Sequence, residues 1–126
     1  MEPNLVMQTS AVILAISAIG GLLMAAIRFS GKPHPPTWLA MLHGFLSAAA
    51  LTLLIYAGFT VGLPKLAVWA CVLFVIAALG GITMNLNYHW KLLPLPKWLV
   101  TVHACIAVLG FVLLLLAAWG TKRGGT

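Results

Sequence analysis

The sequence predicts an all-α membrane protein, a four-transmembrane-helix up-down bundle built from a duplicated two-helix unit. Three observations predict it. The chain of 126 residues is 63% hydrophobic and 6% charged, whereas an ordinary soluble domain is about 25% charged, so it cannot cover itself with a wetted surface. Four long apolar stretches run along it, and at about 20 residues per spanning helix four spans with short connections use nearly the whole length. Finally, sliding the sequence against itself by sixty positions gives an ungapped match.

The spans follow in order. The first, roughly Leu5 to Ile27, starts just after Met1-Glu2-Pro3-Asn4. That opening lacks a positive n-region, and the apolar stretch exceeds a typical signal-peptide core, so the helix is expected to be retained. The second runs from about Trp38 to Phe59, behind Pro33, Pro35 and Pro36. The third covers about Leu66 to Leu86 behind Pro64, and the fourth about Trp98 to Trp119 behind Pro94 and Pro96. Proline breaks helix interiors but suits a first turn, so these residues mark helix ends. Trp38, Trp90, Trp98 and Trp119 sit at the boundaries, as an interfacial aromatic belt requires. Arg28, Lys32, Lys91 and Lys97 lie on the side of the first and third loops, against Lys65, Lys122 and Arg123 on the other. That small excess of four against three favours the first and third loops on the cytoplasmic side without fixing the orientation.

The sixty-residue register pairs Gly20 and Gly21 with Gly80 and Gly81, and Met24 with Met84. It pairs Pro36, Trp38 and Leu39 with Pro96, Trp98 and Leu99, and His43 with His103. Matches of Leu and Ala arise readily in apolar sequence; matches of Gly-Gly, Met, Pro, Trp and His in one register do not. One domain over residues 1–126 is expected, with repeats at about 11–60 and 71–120. Two halves of two spans each share one membrane orientation, related by a pseudo-twofold axis along the membrane normal. In up-down order the second and fourth helices are then diagonal partners.

The charge count removes much chemistry. Seven Lys and Arg stand against a single acid, Glu2. Paired-carboxylate hydrolysis, an Asp-containing serine triad and carboxylate metal or proton relays are all excluded. The cations are scattered over loops without a basic stripe, so nucleic acid is not an expected partner. No CxxCH occurs, which excludes c-type haem attachment, and Cys71 and Cys105 form no CxxC pair; both are expected to be buried free thiols.

What remains is histidine and the backbone around it. His43 lies five residues past Trp38, about 7–8 Å into the bilayer, on a helical face with Leu39, Ser47, Ala50, Leu54 and Ala57. The face of His103 carries Leu99, Ala107, Gly110, Leu114 and Ala117. Gly21 and Gly81 lie seven residues before Arg28 and Tyr88, about 10 Å from the same membrane face and close to the histidine level. Two imidazoles opposed across a gap can fill both axial positions of a haem iron. The glycine pairs would clear the edges of the macrocycle, and Met24 and Met84 would pack against it. Arg28, Lys32, Lys91 and Lys97 lie at the same end, where two propionates need cations.

Gly20-Gly21, His43, Gly80-Gly81 and His103 resemble the plan of cytochrome b in quinol-oxidising complexes. That family is a four-helix bundle with ligand histidines on its second and fourth helices and glycines on its first and third. The resemblance covers nearly the whole chain and is architectural. It departs at the second histidine that the family carries about four turns along each ligand helix, where this chain has Tyr56-Ala57 and Leu116-Ala117. The resemblance therefore implies one haem b instead of two, and a membrane electron carrier rather than an enzyme in its own right. A quinone, a redox partner protein or a respiratory complex would be its partner, as a subunit or a homo-oligomer. The bacterial inner (cytoplasmic) membrane is the expected location.

Two other readings stay open. In one, the histidines are only interhelical hydrogen-bonding groups of a structural or assembly subunit, with the glycines serving close helix packing. Alternatively the chain handles copper or haem, with Met24 and Met84 adding soft thioether ligands to the histidine pair. His34, in Lys32-Pro33-His34-Pro35-Pro36, and His89, in Asn85-Leu86-Asn87-Tyr88-His89-Trp90, do not align with each other and are expected to be solvated. The second string is polar and aromatic enough to contact a quinone or a propionate.

Overall fold

A computed structural model describes residues 2–120. Its elements are α1 (Pro3–Phe29), α2 (Thr37–Thr60), α3 (Lys65–Met84) continued by a π-helical turn (Asn85–His89), and α4 (Lys97–Leu115) continued by another (Leu116–Gly120). Among the described residues there is no strand. The four helical runs of 27, 24, 25 and 24 residues are long and apolar enough to cross a membrane, as the four apolar stretches predict. The expected placement of Lys122 and Arg123 concerns positions outside the described residues.

Proline sets the starts. Pro3 is the first residue of α1, and Pro36, Pro64 and Pro96 immediately precede α2, α3 and α4. None of these starts has a side-chain cap. A fixed φ near that of a helix, and no N–H to leave unpaired, do the work instead. Gly31 and Gly62, with φ of 116° and 83°, turn the chain after α1 and α2; a side chain there would meet the left-handed backbone penalty.

α1 packs chiefly on α2 and α3 on α4, while α1–α4 and α2–α3 close the square. The diagonals are α1/α3 and α2/α4, as the up-down order requires. Large apolar side chains such as Ile19, Phe45, Phe59 and Leu79 stand exposed around the outside, a surface that fits contact with lipid. Tight burial is uneven along the bundle axis. Met7, Ala11, Leu14, Leu54, Ala70, Phe74, Leu114 and Ala117 form the apolar core, and all lie in the half next to the termini and the second loop. In the other half the buried apolar side chains are few, among them Leu39, Ala77 and Val100. That half contains the histidines.

Candidate functional site

Pro36 and Pro96 each stand seven residues before a histidine, so His43 and His103 emerge two turns into their helices. The two rings face each other across the α2/α4 diagonal with centroids 6.3 Å apart and planes inclined by 73°. The inward, level placement expected from the sequence is what the structure has.

The glycines meet these rings directly. A Cβ placed on Gly21 would stand 2.8 Å from Cε1 of His43, and one on Gly81 would stand 3.4 Å from Cε1 of His103. Gly20 faces Leu39 and the His43 Cβ, and Gly80 faces His103 Nδ1. The groups that the glycines clear are thus the imidazoles of the following helix, one glycine pair per histidine, rather than the macrocycle edge that the sequence leads one to expect.

A hydroxyl network holds His43. Its Nδ1 lies 2.8 Å from the Ser17 carbonyl oxygen. A carbonyl oxygen only accepts, so Nδ1 carries the proton and Nε2 of the neutral ring keeps its lone pair. Ser17 Oγ lies 3.0 Å from the same Nδ1, donates to the His43 carbonyl at 3.0 Å, and lies 2.6 Å from Ser47 Oγ. With Ser47 donating to Ser17, every proton in the cluster has an acceptor. His103 has no such support. The Ala77 carbonyl lies beside its ring without hydrogen-bond geometry, so Nδ1 is buried and unpartnered. Leaving such a group unsatisfied costs about 1–3 kcal/mol. The serine network escaped the sequence reading. Its signal was available, as Ser17 and Ser47 are polar residues on adjoining apolar helices.

Met24 and Met84 are half-buried, one turn beyond the glycine pairs. Arg28 is committed to the loops: its Nε donates to the Leu95 carbonyl at 2.8 Å and a terminal nitrogen donates to the Lys32 carbonyl at 3.2 Å. Lys32 and Lys91 are exposed, and the Lys97 ammonium lies 5.8 Å from the centre of the Phe29 ring. All four cations stay at the histidine end. Cys71 and Cys105 are free thiols, as expected; Cys105, however, is on the outer surface of α4 rather than buried, and Cys71 is half-buried.

The expectation of two solvated loop histidines needs correction. His89 is only 6% exposed. Its ring stacks on that of His34 with centroids 4.7 Å apart, and Thr37 Oγ1 lies 3.2 Å from its Nε2. The wider π-helical turn at Asn85–His89 brings His89 under the first loop, which the Leu95 N–H bonds through the Pro33 carbonyl at 3.0 Å. Beside this pair a shallow cleft of about 320 Å³ is lined by Ile27, Lys32, His34, Pro35 and Pro36.

The donor set decides what the central pair fits. Among the described residues no three His, Cys, Asp or Glu side chains gather, so a bare ion would find two imidazoles and little else. A metal that brings its own in-plane ligands needs only two axial ones. A ligating nitrogen stands about 2 Å from its metal, and the ring centre about 1 Å further, so opposed axial imidazoles have centres about 6 Å apart. The observed 6.3 Å suits that arrangement, and the protonated Nδ1 of His43 leaves Nε2 ready to ligate.

The fold and the site together define a four-helix protein, apolar enough to span a membrane, with an imidazole pair in the half that has few buried apolar side chains. Comparison with protein-family models, with curated proteins and with solved structures gives no match.

Proposed function

We propose that this chain is a small membrane b-type cytochrome, built from a duplicated two-helix unit, that holds one haem b between His43 and His103. The observation that carries the reading is the pair of imidazoles whose centres lie 6.3 Å apart on the bundle diagonal. The tautomer set at His43, and the scarcity of buried apolar side chains at the histidine level, support it. The duplication is supported by the helix ends. α1 and the π-extended α3 end at Phe29 and His89, and α2 and α4 begin at Thr37 and Lys97, each pair sixty residues apart.

A bound haem would supply reversible one-electron chemistry. The chain's own residues do the rest. His43 and His103 would hold the iron through their ring nitrogens. Gly21 and Gly81 let those rings lie against α1 and α3, Met24 and Met84 border the same level, and Lys32, Lys91 and Lys97 offer positive charge for propionates. Electron exchange occurs near this membrane face, with a quinone or a neighbouring redox subunit.

The test is the visible spectrum of the purified protein. A Soret band with sharp α and β bands on reduction, lost in both His43→Ala and His103→Ala, is the expected result. A colourless protein whose fold is unchanged by both substitutions overturns the reading. Copper found by mass spectrometry in its place would move the assignment to a His-Met copper site.

A further inference from the structure

The two histidines are related by the sixty-residue register but do not have the same surroundings. His43 is held through Nδ1 by the carbonyl and hydroxyl of Ser17, and Ser17 is braced by Ser47. At the corresponding positions of the second half stand Ala77 and Ala107. Neither carries a hydroxyl, and His103 Nδ1 is buried without a partner. The glycine contacts differ in the same sense. The space at Gly21 is closed by the His43 ring at 2.8 Å, whereas at Gly81 the His103 ring stands back to 3.4 Å. His43 is held by a carbonyl and a hydroxyl within hydrogen-bonding distance, whereas His103 has the Ala77 carbonyl beside its ring, outside that geometry, and no hydroxyl. Outer partners of this kind are worth about 10–100-fold in metal affinity.

We infer that Ser17 and Ser47 make His43 the anchoring ligand and leave His103 the exchangeable one, so that a small uncharged ligand of the carbon monoxide class competes for the His103 position. The inference rests on the cytochrome reading and adds to it a functional asymmetry between the two halves. Ser17 acts through His43 and is a positioning residue. His103 gives way because no hydroxyl network holds its ring in place.

The experiment uses the purified haem-loaded protein and two readouts, haem retention against an excess of apomyoglobin and carbon monoxide uptake after reduction. His43→Ala is expected to lose haem at least tenfold faster than His103→Ala. Ser17→Ala, which keeps the Ser17 carbonyl, is expected to lose it up to about tenfold faster than the unsubstituted protein, the low end of the range for outer partners. Ala77→Ser, which offers His103 a hydroxyl, is expected to lower carbon monoxide uptake severalfold. The serine and alanine exchanges change one oxygen atom each, so they remain informative if a histidine variant fails to fold. Equal haem loss from the two histidine variants, or retention and uptake unmoved by Ser17→Ala and Ala77→Ser, overturns the asymmetry while the cytochrome reading stands. A protein with no Soret band before any substitution overturns both, and is recognised at that first step.

Discussion

Gly21 has no room for a methyl group. Its nearest neighbour is Cε1 of His43, whose ring is tied through Nδ1 to Ser17, one turn earlier on the same helix, so the ring cannot yield without breaking a hydrogen bond. Overpacking of this kind costs about 1–3 kcal/mol. Gly21→Ala is therefore expected to lower stability by that amount and to reduce haem content. Gly81→Ala meets a ring 3.4 Å away that no hydrogen bond fixes, and is expected to cost less. Denaturation and Soret absorbance of the two variants check the order; equal effects would mean that the rings are equally free. The glycine positions were legible in the sequence, because Gly-Gly repeats in register with His. Their contact was not. Spacing places a glycine at the histidine level without saying whether the ring or something beyond it fills the space, and the choice depends on rotamers that Ser17 and Ser47 fix.

The elements at the histidine end are joined through their loops. Arg28 leaves α1 to bond the Leu95 carbonyl just before α4 and the Lys32 carbonyl in the first loop, and His89 stacks under His34. A hydrogen bond from a charged donor is worth about 1.5–3 kcal/mol. Arg28→Gln is expected to release the third loop, read as faster amide exchange at Leu95 and neighbouring residues, with exchange at Leu54 and Leu114 unchanged. Uniform acceleration throughout the bundle would contradict a local clasp. The helix boundaries were legible because Pro36, Pro64 and Pro96 leave little choice of start. The His34–His89 pair was not, since a period of 3.6 residues says nothing of a π-helical turn. There, the Trp90 N–H bonds to the Asn85 carbonyl at 2.9 Å and His89 turns inward. The second π-helical turn is matched from α1, where Gln8 Nε2 donates to the Ala118 carbonyl at 3.2 Å.

At the scale of the whole molecule, the packed core and the candidate site occupy different halves of one bundle. The packed core built on Leu54, Phe74 and Leu114 lies toward the termini, while the imidazoles, glycines and four cations occupy the other end. Leu54→Ala removes a side chain with no exposed surface and is expected to cost about 2–5 kcal/mol. Its unfolding midpoint in detergent falls, while the positions of its α and β bands do not move. A shift of those bands would show that the halves are coupled. The excess of seven cations over one acid also has a place in this layout. Lys32, Lys91 and Lys97 lie together without a carboxylate at their end, and a haem would bring two.

The most direct measurement is the ferric electron paramagnetic resonance spectrum of the purified protein, with haem quantified per chain. One haem per chain, with the low-spin signal of two axial imidazoles that disappears in both His43→Ala and His103→Ala, is the result expected. A chain that binds no haem, or a high-spin signal indifferent to both substitutions, contradicts the account.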